Sequence, residues 1–261
     1  MVRSRWWLAA SSSLFLLTPA IASAGLTFEE GIASNPDSHA ELYREQHWLR
    51  SDGDHPTERL VLYRCPDGTL FGRKQVDYRQ SATAPAFHFE DSRSGYREGL
   101  RQGATPTVFV RSSSGAPEKS AALSPQQLVV DAGFDEFIRE HWQPLLAGRA
   151  VPLDFAVPAR LESIGFTVRR IGQLQIAGEP AWIFRLQLGG LLGWLVPHID
   201  VFYGQASRRL LRFEGLSNLR DDQGDAQLTT RIDFASPPRA AAEAQWQAGL
   251  QAPLSACKTG Q

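Results

Sequence analysis

The chain has 261 residues, with 27 Lys+Arg against 28 Asp+Glu, a formal net charge of -1, 43% hydrophobic and 21% charged residues. That composition belongs to a folded globular protein and excludes a disordered chain. The near-zero charge excludes a protein whose main partner is the phosphate backbone of a nucleic acid.

Residues 1–24 carry Arg3 and Arg5, then an apolar stretch from Trp6 to Leu17, then the small-residue site Ala22-Ser23-Ala24. This order predicts a cleavable secretory leader, and with it a periplasmic location. The alternative is a membrane anchor, but Ser11-Ser12-Ser13 breaks the apolar run, which is short for a span. Losing Arg3 and Arg5 leaves the mature chain, 25–261, mildly acidic. Two cysteines remain, Cys65 and Cys257, and an even count in an exported chain predicts a disulfide. Two unpaired thiols are the alternative.

Along the chain, 40–111 breaks into short runs rich in Val, Tyr, Phe and Leu at hairpin intervals. Arg59–Arg64 and Thr69–Tyr78 flank Cys65-Pro66-Asp67-Gly68, where Asp-Gly suits a tight hairpin. Ala86–Glu90, Tyr96–Leu100 and Thr107–Arg111 read as further strands. The segment 112–123 has loop chemistry and predicts a flexible connection. Ser124-Pro125-Gln126-Gln127 has the layout of a capped helix start. A second helix, capped by Asp131, carries Phe134, Phe137, Ile138 and Trp142 on one face, with Asp135, Glu136, Arg139 and Glu140 opposite.

After 160 the alternation returns: Ile164, Phe166 and Val168; Leu174 and Ile176; Trp182, Phe184, Leu186 and Leu188; Ile199, Val201 and Tyr203; Leu211 and Phe213; Leu228, Thr230, Ile232 and Phe234. Period two with one apolar face marks antiparallel strands against a core. A short helix follows from Pro237 or Pro238, capped by Ser236, with Ala242, Trp246 and Leu250 on one face. The fold class is therefore mainly β (α+β): one domain, a curved antiparallel sheet or partly open β-barrel covered by a helix.

Catalytic signatures are missing from the sequence: no G-x-S-x-G elbow, no H-E-x-x-H, no glycine-rich phosphate loop and no dinucleotide fingerprint. No cofactor and no metal are expected, and the chain reads as a non-enzyme. His88, between Phe87 and Phe89, reads as an exposed structural residue. His198, two before Asp200, suits an oriented imidazole but equally a chance spacing. Asp221-Asp222-Gln223-Gly224-Asp225 reads as a solvated turn and lacks the donor spacing of a calcium loop.

The uncharged segment Leu188–Pro197, with Leu192 and Trp194, suits a cavity rim, a lid or a tip in peripheral contact with a membrane. Together with Phe134, Phe137, Trp142, Trp182, Phe184 and Phe213 it defines the expected ligand-binding residues, ordinary core packing being the alternative.

This order of leader, strands, covering helix and late strands, ending in Val201-Phe202-Tyr203, Leu210-Leu211-Arg212-Phe213 and Thr230-Arg231-Ile232-Asp233-Phe234, resembles the periplasmic lipoprotein-carrier and outer-membrane lipoprotein-receptor superfamily. It is also similar to uncharacterised exported β-rich proteins of proteobacteria. The first resemblance implies an unclosed barrel with a helical lid that binds lipid or acyl chains. The expected function is binding of an apolar small molecule, lipid or lipoprotein acyl chain between sheet and helix. A structural envelope protein docking a partner through an exposed apolar segment is the alternative.

Overall fold

A computed structural model describes residues 25–124, 126–188 and 198–260. The strands are β1 (Leu26–Ser34), β2 (Glu41–Asp52), β3 (His55–Arg64), β4 (Leu70–Asp77), β5 (Ala86–Asp91), β6 (Tyr96–Arg101), β7 (Thr107–Arg111), β8 (Lys119–Ala122) and β9 (Leu128–Val129). Two short helices, α1 (Gly133–Glu140) and α2 (Trp142–Leu146), lead into β10 (Val151–Val157), β11 (Glu162–Ile176) and β12 (Glu179–Leu188). The chain continues through β13 (Ile199–Gly204), β14 (Leu210–Arg220), β15 (Gln227–Asp233) and β16 (Arg239–Ala240) to α3 (Glu243–Gln251).

All the strands join one sheet in the order β8 to β1, then β15 down to β9, with β16 on β1. From β1 in mid-sheet the path runs by hairpins to the β8 edge, crosses to the β9 edge and returns. Its first and fifteenth strands close the joint, Ala33 facing Ile232. Every pairing is antiparallel except the parallel β9–β10 contact. The fold is thus the expected mostly β, open curved sheet.

Alternation decides what each face buries. In β3, Val61 and Tyr63 enter an inner cluster with Tyr43, Val76, Phe87, Phe89, Leu100, Val108 and Ile232. Leu60 and Leu62 point the other way, against Trp246 of α3. Burial on both faces is why 60–63 is continuously apolar. A second inner cluster packs Phe137, Ile138, Trp142 and Leu145 on Leu153, Val168, Phe184, Leu186, Val201 and Tyr203. Leu210 and Phe213 touch both inner clusters.

The β3–β4 hairpin turns at Gly68, whose φ of 88° is the left-handed value that glycine adopts freely. Beside it Cys65 is bonded to Cys257, with Cα atoms 6.4 Å apart. The tail is also tied by Ser255 N–H to Leu70 O (2.8 Å) and by Gly260 N–H to Leu42 O (3.1 Å). The disulfide fits an oxidising compartment. Among the described residues no helix is long and apolar enough to cross a membrane.

Several expectations are corrected. Of the helix expected from Ser124, the described residues 126–129 are not helical: Leu128–Val129 pair with β10, and Gln127 O accepts from Asp154 N–H (3.0 Å). The expected connection at 112–123 contains β8, paired with β7. Asp131 has φ 45° and its carboxylate binds Lys74 Nζ, while Ala132 occupies the helix cap. The single helix through Trp142 is two, interrupted at His141. Asp135 faces the core, not solvent. The last helix starts at Glu243, because 239–240 pairs with β1. His88 is half-buried and stacked on Phe109, with ring centroids 5.7 Å apart, and burial lowers its pKa.

Candidate functional site

A cleft of about 560 Å³ opens at one end of the sheet. Its rim is made of turns. Ala177 (φ 48°) and Gly178 (φ 84°) form the tight β11–β12 hairpin, and Arg208 (φ 51°) lies in the β13–β14 turn, where Gly204 N–H donates to Arg209 O (2.9 Å). Leu49, Ile176, Leu210, Leu211 and Phe234 supply apolar wall. Four arginines, Arg59, Arg139, Arg208 and Arg209, face three carboxylates, Glu29, Asp135 and Glu179.

Register brings these charges inward. Glu29 lies opposite His47, and Leu49 lies opposite Arg59. Both His47 and Arg59 are in phase with residues of the inner cluster, His47 with Tyr43 and Arg59 with Val61, and each is only 9% exposed. Arg59 NH2 donates to Asp135 Oδ2 (3.2 Å), and Tyr203 OH donates to Asp135 Oδ1 (2.5 Å). Burial alone lowers the Arg59 pKa, but Tyr78, Asp135 and Glu29 outweigh it and hold the group above its ordinary value. Burial opposes ionisation of Asp135, yet Arg139, Arg59 and the Tyr203 hydroxyl hold its carboxyl below its ordinary value. The guanidinium and the carboxylate therefore form a charged pair in the cleft wall.

Some of the site's polar atoms are left over. Glu29 Oε2, His47 Nδ1 and Arg59 Nε are all buried and lack a hydrogen-bond partner. His47 Nε2 is taken by Glu45 Oε2 at 2.8 Å, and its ring meets Phe234 edge-on at 5.4 Å. Buried polar atoms are almost always partnered, since an orphan costs about 1–3 kcal/mol. All three belong to residues that line this one cleft.

The residues expected from sequence stand behind this cleft. Phe137 and Phe184 are fully buried and Trp142 nearly so, packed on one another and on Tyr203. The helix thus packs closely on the sheet. Phe134 is half-buried, stacked on Phe137 and edge-on to Phe155. Trp182 carries the Arg170 guanidinium over its ring at 4.6 Å, and Phe213 bridges the two inner clusters. None of these lines the cleft. Two contacts connect the aromatic group to it: Arg208 lies over the Trp142 ring at 5.4 Å, and Tyr203 binds Asp135. Leu192 and Trp194 lie outside the described residues.

His198 Nε2 is 3.6 Å from Asp200 Oδ2, but both oxygens of Asp200 are held at 2.7 Å by Arg185. The Asp221 carboxylate accepts from the Asp225 and Ala226 amides, as a turn requires, while Asp222 binds Arg93 and Thr259. Cys65, Cys257 and Asp67 cluster closely, but the thiols are consumed in the disulfide.

No family model and no curated protein matches the chain. Among solved structures it is similar to a β-barrel-like protein of the domain of unknown function DUF1849 from Brucella abortus, at 9% identity and a TM-score of 0.38, covering 83% of this chain and 97% of that one. The comparisons do not support the lipoprotein-carrier resemblance.

Proposed function

We propose that the protein is a non-enzymatic, exported binding protein, working in the periplasm after removal of its leader, that holds an amphiphilic molecule of the lipid or acyl-chain class. The observation that carries this reading is the cleft, in which a wall of Leu49, Ile176, Leu210, Leu211 and Phe234 adjoins the unpartnered atoms of Glu29, His47 and Arg59. A concave site with an apolar wall and a few placed polar groups is how small-ligand sites are built. The wall takes the apolar part of the ligand, and the inner polar atoms take its head. The Cys65–Cys257 bond supports an oxidising location.

In this reading the ligand sits in the cleft and not at the sheet–helix interface expected from sequence, where Phe137, Trp142 and Phe184 pack on one another. Native mass spectrometry of protein purified without detergent, before and after incubation with an envelope lipid extract, tests the reading. A discrete adduct of lipid mass is expected, and a bare protein mass in both samples overturns it.

A further inference from the structure

The charges left over in the cleft are of opposite sign, and this narrows the head group. Glu29 and Arg59 both line the cleft, and Glu29 Oε2 and Arg59 Nε are both buried without a hydrogen-bond partner, so neither satisfies the other. Arg59 NH2 donates to Asp135, and the neighbouring Nε has no partner. Glu29 stands on β1 and Arg59 on β3, offset by two residues through the pairs Glu29–His47 and Leu49–Arg59. At ordinary strand spacing their backbones are about 12 Å apart on one face of the sheet.

A simple anion would satisfy Arg59 but lie against the orphan carboxylate of Glu29. A simple cation would satisfy Glu29 and meet Arg59, Arg139 and Arg208. A molecule carrying an ammonium and an oxyanion satisfies both residues and adds no net charge to a partly buried site, where charge-assisted hydrogen bonds are strongest.

We infer that the cleft recognises a zwitterionic head group, with its ammonium donating to Glu29 and its phosphate or carboxylate accepting from Arg59. This rests on the amphiphile reading for the acyl portion only. The source is either a lipid such as a phosphatidylethanolamine or the free zwitterion.

Titration calorimetry of the protein, purified without detergent, with monomeric dihexanoyl lipids separates the cases. Phosphatidylethanolamine is expected to bind about tenfold or more tightly than phosphatidylglycerol, the difference of one charge-assisted bond. Phosphatidylcholine, which keeps the charge but has no N–H donor, is expected to bind more weakly than phosphatidylethanolamine; this comparison needs no variant. Glu29→Gln is expected to abolish the preference. Equal binding of phosphatidylglycerol and phosphatidylethanolamine overturns the inference and leaves the amphiphile reading standing. Binding of O-phosphoethanolamine without binding of any lipid supports the zwitterion inference and overturns the amphiphile reading. Binding of none of these probes overturns both.

Discussion

Tyr203 on β13 donates its hydroxyl to Asp135 on α1 at 2.5 Å, and the same carboxylate accepts from Arg59 on β3. One carboxylate thus ties the helix to strands from both arms of the sheet. Removing its charge takes away the carboxylate that is hydrogen-bonded to the buried Arg59 guanidinium. Asp135→Asn is expected to cost about 3–5 kcal/mol. Tyr203→Phe removes one charge-assisted hydrogen bond and is expected to cost about 2 kcal/mol. Urea denaturation of both variants checks the order; equal, small losses would show that the pair contributes nothing.

Glu98 gives the protein an unusual pH response. Its carboxyl is pushed up from 4.5 to about 7, chiefly by burial, against the opposing hydrogen bond from Tyr96 OH. In the unfolded chain it ionises at its ordinary, lower value. Between about 4.5 and 7 the native state therefore holds more protons, so stability falls as pH rises through that window and stays lower above it. Glu98→Gln keeps an acceptor for Tyr96 without the charge. Its stability relative to wild type is expected to rise by up to about 3 kcal/mol between pH 4.5 and pH 8. Denaturation at several pH values measures this difference, and a flat difference would sink the assignment.

The Cys65–Cys257 bond joins residues 192 apart in sequence. Cross-linking so large a loop restricts the unfolded chain, by an upper value of about 5 kcal/mol. Cys65→Ser is expected to lower the melting temperature of the oxidised protein and to match the wild type after reduction. Equal melting of variant and wild type under oxidising conditions would remove the disulfide's role.

Gly99 allows Phe109 to lie across its strand. A Cβ there would sit 2.1 Å from Phe87 O and 2.6 Å from the Phe109 ring, while Phe109 itself stacks on His88 and lies 3.8 Å beneath the Arg101 guanidinium. Backbone oxygen cannot yield as a flexible side chain can. Gly99→Ala is expected to destabilise the protein by about 2 kcal/mol or more. Thermal melting checks it; a change within about 0.5 kcal/mol, the scale of an innocuous surface substitution, would contradict the geometry.

The strands that alternate cleanly, such as Trp182 to Leu188 and Leu228 to Phe234, were legible because one face is apolar and the other is not. β1 was missed: its Glu29-Glu30-Gly31 centre carries inward charge, which breaks the pattern that alternation detects. β10 was obscured by Pro152, which is tolerated here because β9 beside it is only two residues long. The Ser124 helix failed because its capping chemistry is local, whereas burial of Val129 beside β10 is not. The cleft was hidden for a related reason. Helical periodicity puts Asp135 opposite the apolar stripe, and strand alternation marks apolar positions only, although Arg59, in phase with Val61 and Tyr63 in a doubly buried strand, has nowhere to point but inward. Asp135 is legible only once Arg59 is known to be its partner.

The path of the chain through the sheet also sets a schedule. Hairpins β1 to β8 can form as soon as they emerge, but the outer edge of β1 has no partner until β15 follows it, nearly two hundred residues later. Until then that edge is open to other strands, the hazard that slow, long-range pairing brings. Cys257 lies beyond β15 and α3, so the native thiol pair can form only after those segments have been delivered. In a pulse-labelled cell the oxidised form would thus date the moment at which the seam shuts, serving as a clock for completion as well as a brace.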